Sequence, residues 1–141
     1  MSAEPILAPM GMLAALTFFI LGMVPFARFR AAGQGKVTAE DFRLGESARV
    51  PPGVSLPNRN FMNLLEVPVL FYVLCLMILF TGRLTDLLLG LAWAYVVLRA
   101  LHSAVHVTVN HVMTRLTLFA LSNLALMIMW LLFFFGPRAG G

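Results

Sequence analysis

The chain has 141 residues, of which 60% are hydrophobic and only 11% are charged, and its mean hydropathy is +0.90. Because soluble domains carry about 25% charged residues, this composition excludes an ordinary soluble domain and indicates an integral membrane protein. The net charge of +4 arises from basic residues that mostly flank apolar runs. This placement favours membrane orientation over nucleic-acid binding, so we expect no nucleic-acid partner.

Four apolar runs reach the roughly 20 residues that a helix needs to cross a bilayer. In chain order they cover approximately residues 5–26, 59–81, 84–107 and 112–135. Short turns join the last three runs, so those helices should be antiparallel neighbours. The first run lacks the basic start and the clear cleavage site of a signal peptide, so we expect it to remain as a helix. The sequence predicts one all-α domain over residues 1–141, a bundle of four transmembrane helices in contact with lipid.

The long connection over residues 27–58 contains half of the basic residues in the chain, which are Arg28, Arg30, Lys36, Arg43 and Arg49. Arg59 and Arg115 lie on the same side of the predicted bundle, whereas the opposite side has only Arg83 and Arg138. The positive-inside rule therefore places this loop in the cytoplasm and both termini outside it. Within the loop, Thr38 followed by Glu40 and Asp41 resembles the start of a short surface helix.

The second apolar run opens with a polar face. Arg59, Asn63 and Glu66 are spaced so that they share one side of a helix. A carboxylate two turns inside a membrane-length helix is costly, so Glu66 needs a partner or a task. Pro68 removes the hydrogen bond to the carbonyl of Leu64 and predicts a kink beside Glu66.

The third run carries a matching polar face, formed by Arg99, His102 and His106. Because helices two and three are antiparallel, Glu66 and Arg99 reach similar depths in the bilayer, and an ion pair between them would offset the cost of both charges. This pair has a purely structural alternative, in which it only fixes the register of the two helices.

Several polar side chains are predicted to form a ring near the cytoplasmic face, namely Arg28, Arg59, Asn63, Glu66, His102, His106 and Arg115. Such a ring suits a small ligand that has several carboxylates and an ammonium group, since arginines bind carboxylates and Glu66 would bind the ammonium. Taken alone, an arginine at the start of a helix is more often an interfacial anchor, and this applies to Arg115.

The histidines allow a second interpretation. His102 and His106 lie one turn apart and could bind a metal ion, with only His111 in the following turn as a third ligand. Haem between two helices would require histidines on facing helices, and the other three predicted helices have none. We therefore expect no metal site, and we expect the histidines to be satisfied residues of a polar face.

Together, Arg59 with Asn63 and Glu66 before Pro68, then Arg99 with His102, and then Arg115 at the start of the last helix resemble the MAPEG family, the membrane-associated proteins in eicosanoid and glutathione metabolism. The resemblance covers helices two to four well, and it covers helix one mainly through Arg28-Phe29-Arg30.

The resemblance implies a homotrimer that holds glutathione between neighbouring subunits near the cytoplasmic side. By position, Arg28, Asn63, Glu66 and His102 would bind glutathione, and Arg59 and His106 lie on the same polar faces. Arg115 matches the arginine thought to stabilise the glutathione thiolate, which a lipophilic electrophile would reach from the bilayer. A cation beside a thiol increases the thiolate population at neutral pH.

The sequence departs from the family at four positions that carry hydrogen-bonding side chains in the enzymes of the family. His106 and Phe119 stand in place of tyrosines, Leu116 in place of a serine, and Met62 in place of an arginine. Several hydrogen-bonding groups of the family are therefore absent, so we expect either weak binding of glutathione or a different ligand.

We therefore expect a glutathione-dependent transferase or peroxidase for lipophilic electrophiles, located in a bacterial inner membrane. Two other hypotheses stay open. One is a non-enzymatic membrane protein that binds an anionic metabolite or lipid, and the other is a structural membrane subunit.

Overall fold

A computed structural model describes residues 2–137, so Arg138 and the end of the chain lie outside the described residues. Five α-helices follow one another: α1 (Leu7–Gly33), α2 (Pro52–Leu65), α3 (Pro68–Thr81), α4 (Asp86–Val107) and α5 (Val112–Phe135). They make four spans long and apolar enough to cross a membrane, because α2 and α3 together form one span over Pro52–Thr81. The described residues contain no β-strand. The predicted all-α fold with four transmembrane spans is confirmed.

Helix α1 continues to Gly33 rather than ending near residue 26. The basic residues after Phe26 mark the membrane boundary, but arginine and alanine are good helix formers, so they do not end the helix. The end comes at Gly35, whose φ of +70° is the left-handed conformation that favours glycine. The N–H of Gly35 donates to the carbonyl of Ala32 at 3.0 Å, and the N–H of Lys36 donates to that of Ala31 at 2.9 Å.

Helix α2 begins at Pro52 rather than at residue 59, so the connecting loop is shorter than predicted at both ends. Pro52 occupies the first helical position, where its missing N–H would have no intrahelical partner in any case. Val54, Ser55 and Pro57 are buried, and α2 packs chiefly against α1. The apolar run alone placed the start of this helix at residue 59, because the packing of residues 52–58 against α1 is a tertiary contact that the run does not record.

The second span is broken at Glu66 and Val67, as Pro68 predicts. Pro68 has no N–H, so the ladder of helical hydrogen bonds cannot pass through it. It resumes when the N–H groups of Val69 and Leu70 donate to the carbonyls of Glu66 and Val67, at 3.2 and 2.9 Å. The carbonyls at the end of α2 are therefore left for other donors.

Two tight turns join the last helices. Between α3 and α4, Gly82 adopts a φ of +67°, and the hydroxyl of Thr85 accepts the N–H of Leu88 at 3.2 Å, which caps α4. Between α4 and α5, Asn110 adopts a φ of +48°. These turns make α4 and α5 antiparallel neighbours, which form the most extensive helix pair in the protein.

The core lies among α1, α3, α4 and α5. Phe71 of α3 stacks on Tyr95 of α4 with ring centroids 4.7 Å apart, and both side chains are fully buried. The outward faces carry many large apolar side chains, such as Phe18, Phe19 and Phe80. Apolar side chains that face outward on membrane-length helices indicate contact with the lipid bilayer.

The loop between α1 and α2 has a fold of its own. A small apolar cluster, made of Ala31, Val37, Val50 and Val54 with Phe42 packed against it, ties the loop to the two helices. The predicted short helix is present as a 3-10 turn over Ala39–Phe42. Asp41 accepts the N–H of Thr38 at 2.8 Å and the hydroxyl of Ser47 at 2.8 Å, and these two bonds hold the pKa of Asp41 below its ordinary value.

We expect Asp41→Ala to loosen this loop and to accelerate tryptic cleavage after Lys36, Arg43 and Arg49. Because the pKa of Asp41 is lower in the folded state, its stabilisation is present above about pH 4 and is lost as the pH falls through the folded-state pKa. The control is Glu40→Ala, since the side chain of Glu40 is exposed and pairs with Arg43, whereas Asp41 bonds to Thr38 and Ser47. Equal cleavage rates in the two variants would contradict the role of Asp41.

Candidate functional site

A cleft with both polar and apolar lining side chains lies where α2, α4 and α5 meet. Its volume is about 230 Å³, and it is lined by Asn63, His102, Val112, Arg115, Leu116 and Phe119. Three of the predicted ligand-binding residues, Asn63, His102 and Arg115, therefore share one cleft within a single chain. The lining side chains include a cation but no carboxylate, so the cleft favours an anionic ligand.

Arg99 is fully buried beside this cleft. Its Nη2 donates to the backbone carbonyl of Asn63 at 2.8 Å, and its guanidinium lies 5.4 Å from the ring centroid of Phe119. A carbonyl in the last turn of α2 lacks a helical donor, and Arg99 supplies one. A cation also suits the negative end of a helix dipole. Arg99 thus caps the broken end of α2 from the neighbouring helix.

The expected contact between Glu66 and Arg99 is absent from the described part of the chain. Its ion pairs within 4.0 Å are Arg28–Glu46 and Arg43–Glu40, and the side chain of Glu66 is exposed. The break in the second span explains the difference. Helix α2 ends one residue before Glu66, so Glu66 leaves the face that Arg99 occupies, and Arg99 bonds to a free carbonyl instead.

His102 and His106 are both buried on α4, with ring centroids 5.6 Å apart. His102 lines the cleft and lies 5.8 Å from the ring of Phe119, whereas His106 is not among the lining residues. His111 caps α5, because its Nδ1 accepts the N–H of Thr114 at 3.2 Å. Over residues 2–137, no three His, Cys, Asp or Glu side chains come close enough to hold a metal ion.

Arg115 is half-buried at the mouth of the cleft, and its Nη1 donates to the side-chain oxygen of Asn110. Asn110 is itself fixed, since its N–H donates to the carbonyl of Val105 at 2.7 Å and its φ is positive. Asparagine tolerates this conformation better than most residues do. Asn110 was not predicted as a site residue. Its place in a tight turn, five residues before Arg115, could have indicated that it contacts this arginine.

A scan against protein-family models matches the MAPEG family over residues 6–135, which is nearly the whole chain. The chain belongs to the MAPEG family. Searches of the curated proteins and of the solved structures found no match. The resemblance drawn from the polar residues of helices two to four is therefore confirmed at the level of the family.

Not all of the predicted ring assembles within one MAPEG chain. Arg28 lies outside the cleft, where it pairs with Glu46 at 3.6 Å and lies 4.5 Å from the ring centroid of Phe42. Arg59 and Glu66 are exposed on the surface of the chain. The described chain therefore brings Asn63, His102 and Arg115 together in the cleft, with His106 beside His102, and it leaves Arg28, Arg59 and Glu66 outside.

One buried polar contact was missed by sequence reasoning. The hydroxyl of Ser103 on α4 donates to the side-chain oxygen of Asn60 on α2 at 3.2 Å, and both residues are fully buried. The available signal is that Asn60 follows Arg59 and Ser103 follows His102, so each polar residue widens the polar face of its helix.

We expect Ser103→Ala to lower the free energy of unfolding by roughly 1–3 kcal/mol, because it leaves the buried amide of Asn60 without its partner. Ser122→Ala is the matched control, since Ser122 is equally buried but bonds within its own helix, to the carbonyl of Phe119 at 2.8 Å. Unfolding of the detergent-solubilised protein measures both variants. A loss in Ser103→Ala no larger than that in Ser122→Ala would show that the interhelical bond contributes nothing.

Proposed function

We propose that this MAPEG protein is a glutathione-dependent transferase or peroxidase that acts on lipophilic electrophiles at the membrane. The observation that carries the proposal is the cleft that holds Asn63, His102 and Arg115 together. It offers an amide, an imidazole and a guanidinium at one end of the membrane-spanning bundle. These are groups that bind a peptide with free carboxylates.

Buried polar atoms beside the cleft also fit such a ligand. Within the described chain, Nε and Nη1 of Arg99 and Nδ1 of His102 are buried and have no hydrogen-bond partner. Buried donors are rarely left unpaired in a functioning protein, because an unpaired donor costs about 1–3 kcal/mol. Glutathione has two carboxylates and two amide carbonyls that can accept from Arg99, and its amide groups can pair with Nδ1 of His102 in either tautomer.

Arg115 is the residue that we propose acts on the thiol. A guanidinium near the sulfur favours the thiolate, which is the reactive form, by direct charge stabilisation. Glutathione supplies the nucleophilic sulfur, which bonds to an electrophilic carbon as a leaving group such as halide departs. Asn110 keeps Arg115 at the mouth of the cleft and is therefore a positioning residue.

The remaining members of the ring fit a homotrimer. Arg59 and Glu66 are exposed in the isolated chain, although both belong to a span that would otherwise face lipid. An exposed carboxylate in a membrane-length helix is costly unless a neighbouring copy or a ligand covers it. We propose that a neighbouring subunit contributes such contacts, with Arg28, Arg59, Glu66 and His106 completing the binding of glutathione.

The electrophile would approach along α5. Phe119, Asn123, Met127 and Trp130 continue the helix face that begins at Arg115, at intervals of three or four residues. Three of them, Asn123, Met127 and Trp130, line an apolar groove of about 400 Å³ between α3 and α5. A lipophilic molecule in this groove would lie in the bilayer and would point along the same face toward Arg115.

The proposed location is a bacterial inner membrane, with the loop between α1 and α2 in the cytoplasm and both termini outside it. We expect cysteines introduced at Ser2 and Ala48, in a Cys75→Ala background, to label from opposite sides of the membrane. Both positions are exposed. An impermeant thiol reagent should label only Ser2→Cys in cells with a permeabilised outer membrane, and labelling of Ala48→Cys there would contradict the orientation.

A non-enzymatic binding protein is the second candidate, and Leu116 and Phe119 favour it. Both line the cleft beside Arg115, at positions where a serine and a tyrosine stand in enzymes of the family, so no hydroxyl group lines the cleft in the described chain to assist Arg115. The test of both functions combines two measurements on the detergent-solubilised protein. A saturable rise in melting temperature with glutathione, together with turnover of a chromogenic aryl halide, supports the enzyme. A rise without turnover of any electrophile supports the binding protein, and no rise contradicts both glutathione proposals.

A further inference from the structure

A second groove lies between the end of α1 and the start of α2, and none of its lining residues belongs to the α2–α4–α5 cleft. Its volume is about 370 Å³. Met23, Phe26 and Val107 form an apolar wall, and Arg30 and Lys36 stand at its rim. The groove therefore combines an apolar surface with two cations at the end of a membrane-spanning helix.

The fold of the chain places the two cations together. Helix α1 ends in a left-handed turn at Gly35, and the bond from the N–H of Lys36 to the carbonyl of Ala31 folds the chain back over the last turn of the helix. Lys36 is thereby brought to the groove that Arg30 lines from within the helix. A simple continuation of the helix would have carried Lys36 away from the groove.

Neither cation is neutralised by the chain. The ion pairs within 4.0 Å in the part of the chain that the structure describes engage Arg28 and Arg43, through Glu46 and Glu40. Arg30 and Lys36 take part in neither pair, and no carboxylate lines the groove. Two unpaired cations beside an apolar wall attract an anion that also has an apolar part.

We propose that this groove binds an anionic phospholipid, with the phosphate between Arg30 and Lys36 and an acyl chain along Phe26 and Met23. The exposed fraction of Phe26 is 66%, so the apolar wall is open to the surrounding bilayer. The two cations follow the apolar part of α1 directly, at the level where phosphates of the membrane interface lie. A soluble phosphate would satisfy the cations but would leave the apolar wall uncovered.

The test is native mass spectrometry of the full-length protein in a neutral detergent, titrated with phosphatidylglycerol or with phosphatidylcholine. We expect saturable binding of phosphatidylglycerol and clearly weaker binding of phosphatidylcholine. The double variant Arg30→Gln, Lys36→Gln should weaken binding of phosphatidylglycerol about thirty-fold, because each basic residue near an anionic headgroup contributes about a factor of five. The matched control is Arg43→Gln, which removes a cation that already has an acidic partner.

A steric variant separates a defined groove from general attraction between charges. Gly53 lines the groove, and a Cβ atom added to it meets no atom within 4 Å, so the first carbon of the side chain in Gly53→Leu has room and both cations are retained. It should nevertheless weaken binding of phosphatidylglycerol, because it covers part of the space for the lipid. Melting temperatures and gel filtration establish that each variant is folded.

Three results would overturn the proposal. Equal affinity for the two phospholipids would exclude recognition of the charge. An equal loss of binding in Arg43→Gln and in the double variant would show that net charge alone attracts the lipid. Competition by glycerol 3-phosphate at the concentration of the lipid would show that the groove binds a soluble phosphate. None of these results depends on whether the protein uses glutathione.

Discussion

Replacement of Arg115 by alanine is expected to lower the turnover of a chromogenic aryl halide by a factor of about 10² or more, because a positioned charge that stabilises the reacting group typically contributes that much. The affinity for glutathione should fall less, since Asn63 and His102 remain in the cleft. The expected pattern is therefore a large loss in kcat with a smaller rise in KM. A large rise in KM with unchanged kcat would assign Arg115 to binding alone.

Two further variants sharpen the assignment of Arg115. Arg115→Lys should restore only part of the activity, since an ammonium lacks the fixed planar donors of guanidinium. Asn110→Gly should also lower kcat, but by less than Arg115→Ala. It removes the oxygen that holds Arg115, while glycine tolerates the positive φ of that position. Wild-type activity in Asn110→Gly would show that Arg115 needs no such positioning.

His106 is the competing candidate, because it stands in place of a tyrosine of the family on the neighbouring helix. If a protonated His106 stabilised the thiolate, activity would follow a histidine titration and would fall at high pH as the cation is lost. The pH–rate profiles of wild type, Arg115→Ala and His106→Phe with one aryl halide distinguish the two. Loss of activity only in His106→Phe would move the role to His106, whose ring does not line the cleft in the isolated chain.

The spans were predictable from sequence because every helix that crosses the bilayer needs about 20 consecutive apolar residues. The interruption at Pro68 was predictable for an equally local reason, the missing N–H of proline. The end of α1 and the start of α2 could not be predicted in this way, because outside the membrane the length of a helix is not set by the thickness of the bilayer. There the small apolar cluster around Val37, Val50 and Val54 decides the outcome, and it depends on contacts between distant segments.

The cleft shows what a helix face can and cannot reveal about a site. The spacing of Asn63 on α2 and of Arg99 and His102 on α4 placed these residues on facing sides, and the structure brings them together. The partner of Arg99 was missed because a broken helix offers a backbone carbonyl, which no side-chain pattern records. Arg28, Arg59 and Glu66 lie outside the cleft, because Arg28 pairs with Glu46 and the side chains of Arg59 and Glu66 are exposed. The helical spacing of polar residues does not reveal either arrangement.

Arg99 is expected to be the residue whose loss destabilises the protein most among the polar residues near the cleft. Its hydrogen bond to the carbonyl of Asn63 is buried and charge-assisted, and such bonds contribute about 1.5–3 kcal/mol. We expect Arg99→Met, which keeps an unbranched apolar side chain, to lower the free energy of unfolding by about this amount. The matched change Glu66→Gln should cost much less, because the side chain of Glu66 is exposed and contacts no cation within 4.0 Å in the described chain.

The double variant tests the ion pair itself. If Arg99 bonds to the backbone of α2 and not to Glu66, the losses in Arg99→Met and Glu66→Gln should add, within about 0.5 kcal/mol. If the two charges were partners, Arg99→Met would leave Glu66 unpaired, and the double variant would be less unstable than the sum of the single changes. Unfolding of the detergent-solubilised protein gives all three values, and a double variant clearly milder than the sum would restore the ion pair. Additive losses would instead establish Arg99 as a cap for α2, held by the carbonyl that the break at Pro68 leaves free.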